Sequence, residues 1–433
     1  MKKILATIAL AVFATAANAQ WIRVWSGGES TRYALTEASS LPYTAAGSCL
    51  EIGGFTYSTA EIDSITIVNP VTVTWDGDHA SVDIPYTAEG VTATVDGGHV
   101  TITNTCTTIE HEFILAGSSA HGSLTYVGEY KCKFHLNGLN LTSDAGGAID
   151  IQCGKRIDLI LEDGTTNVVA DAATGDQKAA FNCQGHLEVA GSGSLTVTGN
   201  CRHALRSNEY LQLKKSVGAL TVSSAVGDGI HCGEYFLMNG GTVTIANVGG
   251  DGLQVETDAA SEEALNGQFV MNGGTLDVTV TSTDTKGIRL DASAEDASIV
   301  PEMSLLGGVV TVNLNSTALG AKAIASEGNL TIGSPSSAPT VAITVAADIY
   351  TDPDSGEENR ATGLKADQTL TIAGGETTVN AIGPKSRGVR ATTLIATGGS
   401  LIVTNTGSKS QGIKLDNTFV SGQGGIVSGS FKY

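Results

Sequence analysis

The sequence predicts an all-β protein: a right-handed, single-stranded parallel β-helix, or solenoid, preceded by a small N-terminal β module. Three observations predict it. The first is a four-residue phrase that recurs through the C-terminal two-thirds: a small residue, an aliphatic or aromatic, a variable residue, then a small or apolar one. It runs from Ala180-Phe181-Asn182-Cys183 through Gly229-Ile230-His231-Cys232 to Gly412-Ile413-Lys414-Leu415. Copies begin at 180, 204, 229, 252, 287, 323, 363, 388 and 412, in steps of 24, 25, 23, 35, 36, 40, 25 and 24. A period in the twenties means stacked coils, each buried only by its neighbours. The second observation is the pair of runs after the phrase: an apolar stretch such as Tyr235-Phe236-Leu237-Met238, then a Gly-Gly turn into a third β-rich run, as in Gly240-Gly241-Thr242-Val243-Thr244-Ile245. Glycine permits positive φ at such a corner. Three strands and three corners fill about one turn of a parallel β-helix, and parallel crossovers are right-handed. The third is composition: 54 glycines, 16% charged residues and abundant Thr, Val and Ala suit many short strands.

Residues 1–19 read as a cleavable export signal. Lys2 and Lys3 precede an apolar run from Ile4 to Phe13, and Ala17-Asn18-Ala19 is a small-x-small cleavage site. The run is too short to span a bilayer, and no other segment is long and apolar enough. Residues 20–70 form an N-terminal β module, opened by the alternating Trp21-Ile22-Arg23-Val24-Trp25. Residues 71–145 are strand-like, with turn signals at Asp76-Gly77 and Gly97-Gly98, and are expected to lead into the solenoid and cap its open end. Residues 146–433 are expected to be the coils. Long steps in the period mark insertions near 258–267, 291–302 and 346–360, and insertions on one face of a solenoid are frequently functional.

Charge narrows the function. The chain carries 24 basic and 44 acidic residues, for a formal net charge of −20. Loss of Lys2 and Lys3 with the leader takes it to −22. Nucleic acid is a poor partner for such a surface. Seven cysteines, an odd number, exclude a complete disulfide framework, and Cys183 and Cys232 read as small buried residues of the ladder. No G-x-S-x-G, H-E-x-x-H, P-loop or helix-opening G-x-G-x-x-G occurs.

Two rows carry the remaining chemistry. The variable third position of the phrase is largely basic: Asn182, Arg206, His231, Gln254, Arg289, Ala325, Lys365, Arg390, Lys414. Long charged side chains are rarely buried, so this column is expected to face solvent with the aliphatic and small positions adjusting around it. An acidic row follows at the turn, including Glu209, Glu234, Glu256, Asp258, Asp291, Glu327, Asp367 and Asp416. Asp228 and Asp251 stand just ahead of the phrase inside Gly-Asp-Gly. Carboxylates stacked about 5 Å apart repel unless a proton or cation is shared, and calcium takes six to eight oxygens. Asp228, Glu234, Asp251 and Glu256 are therefore the expected calcium ligands. The stretch 352–359, Asp-Pro-Asp-Ser-Gly-Glu-Glu-Asn, looks like a short calcium loop without the full twelve-residue pattern.

Particular segments also match a known pattern: Phe134-His135-Leu136-Asn137-Gly138-Leu139-Asn140-Leu141, Gly146-Gly147-Ala148-Ile149-Asp150-Ile151-Gln152, the run from Gly191 to Asn200, and Gly227-Asp228-Gly229-Ile230-His231. With these the chain, over roughly residues 75–433, resembles the bacterial carbohydrate-binding domain-containing family. The resemblance implies a secreted, pectate-lyase-like right-handed parallel β-helix that binds calcium, in a family that includes binders of polygalacturonate and cellulose. This chain departs from the family pattern in placing Cys183 and Cys232 where Ser or Ala is usual. The expected function is an exported, non-catalytic binder of acidic polysaccharide, with Arg206, His231, Arg289, Lys365, Arg390 and Lys414 facing the sugar carboxylates. The expected address is periplasmic, cell-surface or extracellular. One alternative is a calcium-dependent polysaccharide lyase with Arg206 or Arg289 as base. Another is a surface scaffold or adhesin without a sugar site.

Overall fold

Most coils of the solenoid are made of three short strands, which run together into single long strands at Thr362–Ala381 and Arg387–Asn405, and the coil strands are hydrogen-bonded in parallel from one coil to the next. The computed structural model describes residues 21–26, 29–34, 49–52, 55–58, 60–422 and 424–432. The leader expected over 1–19 lies outside them. Among the described residues there is no helix, and so none long and apolar enough to cross a membrane.

The recurring phrase builds the first sheet. Ile230 pairs with Leu253 and Leu253 with Ile288, so equivalent residues share one column as the period requires. The apolar stretch builds the second sheet, where Tyr235–Met238 pairs with Gln268–Met271. The run after Gly-Gly builds the third, where Thr242–Ile245 pairs with Thr275–Val280. The Gly-Gly corner needs its glycine. The second residue of each pair has positive φ: 84° at Gly241, 93° at Gly274, 82° at Gly308, 73° at Gly375 and 64° at Gly399. The glycine that opens the phrase serves close approach instead. A Cβ on Gly252 would lie 2.4 Å from the carbonyl oxygen of Gly287 in the next coil.

Strand alternation sets the facing. Ile230 and Cys232 of the phrase are fully buried while His231 between them is half-buried and outward, and the same holds around Arg206, Gln254 and Arg289. The inward residues of all three sheets form one continuous core along the axis, with ladders such as Phe113 on Phe134 and Phe236 on Phe269. Cys132, Cys153, Cys183 and Cys232 are buried in or beside it as free thiols.

Parallel stacking begins earlier than the boundary expected at 146. Val71–Asp76 pairs in parallel with Glu112–Ser119, and Gly98–Asn104 with Gly122–Gly128. These first rungs are concealed in the sequence because each is also half of an antiparallel hairpin: Val71–Asp76 with His79–Asp83, and Gly98–Asn104 with Val91–Asp96. The outer hairpin strands occupy edges that would otherwise present unpaired backbone.

The N-terminal module is a three-stranded antiparallel sheet of Trp21–Ser26, Glu29–Ala34 and Ile62–Val68, with a hairpin of Cys49–Ile52 and Phe55–Ser58. It has its own small core of Ile22, Val24, Tyr33, Leu50 and Ile52. Arg23 reaches the first coils through Glu112 at 2.5 Å. Glu112 also accepts from His135 at 3.1 Å. Burial raises the Glu112 pKa, but His135 and Arg23 outweigh it and bring it to about 2.

Candidate functional site

The third position of the phrase forms one unbroken outward row on the first sheet. Asn182, Arg206, His231, Gln254, Arg289, Ala325, Lys365, Arg390 and Lys414 are partners in consecutive rungs. Rungs stand about 4.8 Å apart, so the row offers groups at regular intervals along the axis.

Two insertions turn part of this row into a cleft. Residues 256–267 and 291–301 both leave the coil at the corner after the phrase, and they rise along the same edge of the first sheet. Between them lies an open cleft of about 480 Å³. Its floor is Arg206, His231 and Arg289. Its walls include Asn208, Glu256, Asp258, Ser293, Glu295 and Glu327. Three of the six residues expected to meet a ligand thus share one concavity with Glu256. Lys365, Arg390 and Lys414 continue the row beyond it.

The basic row is not a free positive stripe, as the sequence suggested. On a strand, residues two apart face the same side, which sets Asp291, Asp367 and Asp416 of the acidic row beside Arg289, Lys365 and Lys414. Lys365 Nζ is 2.8 Å from Asp367, Lys414 Nζ is 3.2 Å from Asp416, and Arg390 reaches the same Asp416 at 3.4 Å. Arg289 donates through Nε to Asp291 and through Nη1 to Asp251 at 3.0 Å. Burial opposes its charge, but these two carboxylates outweigh burial and push its pKa up. His231 behaves alike. Burial lowers its pKa, but Asp228 at 3.0 Å and Glu256 at 3.7 Å raise it to about 9, so the ring is a cation at neutral pH. Arg206 is the exception on the floor. It donates to Asn182 and Asn208 and forms no ion pair among the described residues. Burial pushes its pKa down, with Glu256 opposing and Arg202 adding to the effect.

The four carboxylates expected to hold calcium do not converge. Asp228 and Asp251 sit at the corner ahead of the phrase and are used by the coil itself. Asp228 Oδ1 accepts the Asp251 N–H at 2.7 Å, and Asp251 Oδ1 accepts the Lys286 N–H at 2.7 Å, so each aspartate caps the next coil. Their other oxygens face nitrogen: Asp228 Oδ2 lies between His203 Nδ1 at 3.2 Å and His231 Nδ1 at 3.0 Å, and Asp251 Oδ2 takes Arg289. Glu234 lies on the far side of the phrase at φ 49°, in reach of His186 and Glu209. Glu256 stands on the cleft wall. Calcium requires several oxygens on one point, and this set does not fit it. Among the described residues, the two groups of three close enough to share an ion, His203-Asp228-His231 and His186-Glu209-Glu234, mix nitrogen with oxygen. The loop at 352–359 is the tip of a hairpin, where Asp352 Oδ1 accepts the N–H groups of Asp354 and Ser355 at 2.9 and 2.7 Å.

A second basic row was not anticipated from the sequence. One residue ahead of the phrase, Lys286, Lys322, Thr362, Arg387 and Gln411 are partners in consecutive rungs. Its signal is the column of the repeat one position before the opening glycine or alanine.

Comparison with known proteins matches the carbohydrate-binding domain-containing protein family over residues 96–412. Among solved structures, a polysaccharide lyase-like protein from C. thermocellum, in a gadolinium derivative, is similar at 22% identity and TM-score 0.48, over 61% of this chain and 96% of that one. No match was found among the curated proteins.

Proposed function

This chain belongs to the carbohydrate-binding domain-containing family, and from that premise we propose that it is an exported, non-catalytic binder of acidic polysaccharide such as polygalacturonate. Residues 1–19 are then removed on export, to the periplasm, the cell surface or the medium. The observation that carries the reading is the cleft: two insertions wall off the stretch of the first sheet where Arg206, His231 and Arg289 line the floor. Arg289 and His231 are charged, held in place by carboxylates, and keep part of their surface open. Such fixed cations orient an anionic sugar with little further ordering. Lys365, Arg390 and Lys414 extend the row, so a repeating ligand meets repeating contacts. The net charge of −20 opposes approach at long range, but physiological salt screens beyond about 8 Å.

The family resemblance implies calcium, yet Asp228, Glu234, Asp251 and Glu256 do not form its cage. Binding along the basic row needs no such cage. A calcium contribution would belong to the exposed wall acids, where the sugar supplies further oxygens.

Replacing Arg206, Arg390 and Lys414 together by Gln tests the reading. Each exposed contact contributes about 0.5–1 kcal/mol, so the triple variant is expected to bind polygalacturonate roughly ten- to a hundredfold more weakly, with a flatter salt dependence. Unchanged retention rules this face out. Arg289 is a worse choice, because its loss strips Asp251. A second reading, polysaccharide lyase, has one supporting observation: Arg206 has no carboxylate partner among the described residues and its pKa is pushed down, as a base requires. Ultraviolet absorbance of unsaturated products from polygalacturonate decides between the two.

A further inference from the structure

The second basic row lies against the third insertion. Residues 346–361 enter the first sheet from the edge opposite the cleft's insertions and form a hairpin of Tyr350–Thr351 with Glu358–Asn359. This brings Arg360 over the sheet. Arg360, Lys322, Lys365, Arg387 and Arg390 line a pocket of about 120 Å³, with Glu358 its lining carboxylate.

These cations are less well paired than those of the cleft. Lys365 and Arg390 have Asp367 and Asp416. Lys322 Nζ is 4.0 Å from Asp284 and is otherwise held by the Gly320 carbonyl. Arg387 and Arg360 form no ion pair among the described residues: Arg387 donates to Gln411 at 3.0 Å and Arg360 to the Lys385 carbonyl at 2.6 Å. Burial pushes Lys322 down to about 8, Asp284 opposing and Lys286, Lys365 and Arg387 adding. Burial pushes Arg387 down to about 10, helped by Arg390 and Arg360. Crowding like charges out of water costs folding stability, and a bound anion offsets that cost. Guanidinium forks and ammonium groups around a small space offer more donors than one carboxylate uses, and suit a tetrahedral oxyanion.

The pocket is continuous with the cleft. A depression of about 50 Å³ shares Arg289, Asp291 and Glu327 with the cleft, and Lys322 and Lys365 with the pocket. We propose that this pocket is a subsite for a tetrahedral oxyanion, carried as a sulfate ester on the glycan that occupies the cleft. The ligand class is then sulfated as well as carboxylated polysaccharide, a step that rests on the cleft reading.

The test compares wild type, the double variant Lys322→Gln/Arg387→Gln, and Arg206→Gln. The probes are chondroitin sulfate, its desulfated backbone, and sodium sulfate against sodium chloride at matched ionic strength. Sodium sulfate is expected to raise the Tm of the wild type more than that of the double variant, which keeps only the general effect of an excluded salt. Wild type is expected to prefer the sulfated chain about tenfold, as charge-assisted hydrogen bonds imply. The double variant should bind both chains alike, and Arg206→Gln should weaken both without changing the preference. In sulfate-free buffer the double variant should melt at or above the wild-type temperature, because it removes crowded charge. A merely structural role predicts the reverse and overturns the proposal. So does the absence of any sulfate-specific rise, or a preference that survives in the double variant. A sulfate-specific rise without preference between the chains assigns the pocket to a free oxyanion and overturns its part in glycan binding. Loss of preference in the double variant, with Arg206→Gln inert, retains the pocket and removes the cleft.

Discussion

In the cleft, Arg289 is gripped by Asp251 and Asp291, and His231 by Asp228 and Glu256. Within three rungs on the same sheet, Lys322 and Arg387 are largely buried beside other cations, and burial, helped by those neighbours, lowers their pKa values. The same residue types thus do two jobs. Paired cations are held rigid and keep their charge, which fixes the geometry of the floor. Crowded cations hold an electrostatic cost that a bound anion or the loss of a proton relieves. The difference arises from spacing. Gly-Asp-Gly at 227–229 and 250–252 supplies a carboxylate ahead of the phrase in the upstream coils, where the downstream coils carry Lys322 and Arg387 near the same edge.

Asp251 is where the two regions should diverge most. Asp251→Ala removes a partner of Arg289 and leaves the Lys286 N–H without its acceptor. It is expected to lose about 3 kcal/mol in urea denaturation, whereas Arg387→Gln is expected to be neutral or stabilising. Equal losses would mean that the two regions do not differ.

Stability against pH should separate the regions by sign. His231 has its pKa raised from 6.5 to about 9, so its contribution is complete below pH 6.5 and lost as pH rises through 9. Lys322 has its pKa lowered from 10.5 to about 8, so the unfolded chain holds the extra proton between those values and stability rises with pH there. His231→Gln should remove the first slope and Lys322→Gln the second, read as Tm across pH 6 to 11. Slopes of the same sign at the two residues would contradict the assignment.

Arg390→Gln or Lys414→Gln alone should weaken polygalacturonate only a few-fold, about 0.5–1 kcal/mol, because each is an exposed member of a row. A complete loss from either would place the site at one point rather than along the sheet. The smallest expected effect is that of calcium on the unliganded protein. With Asp228 and Asp251 already capping backbone N–H groups, added calcium and chelator should leave the melting curve in place. A rise with calcium would show a cage elsewhere among the acids.

Much of the fold was legible because a solenoid writes its register into its period. The spacing from Ile230 to Leu253 to Ile288 survives an added insertion and still predicts one column. The Gly-Gly pairs announced their corners because only glycine takes φ near 80° cheaply there. The first rungs, from 71 to 145, were hidden, since adjacent hairpin strands advertise antiparallel neighbours and say nothing of parallel ones. The site was legible as rows, not as contacts. Arg289 with Asp291 follows from strand alternation alone, but Arg289 with Asp251 joins residues 38 apart across a long step of the period. Whether Asp228 and Glu234 meet depends on which corner each occupies, and a linear count places them close while the strand between them holds them apart.

The decisive measurement is a structure of the protein with an oligosaccharide of galacturonate bound. The sugar chain is expected to lie along the first sheet, its carboxylates within hydrogen-bond distance of Arg206 and Arg289 between the insertions at 256–267 and 291–301. An oligosaccharide bound on the second or third sheet, with the cleft vacant, would contradict the assignment of the cleft as the glycan site.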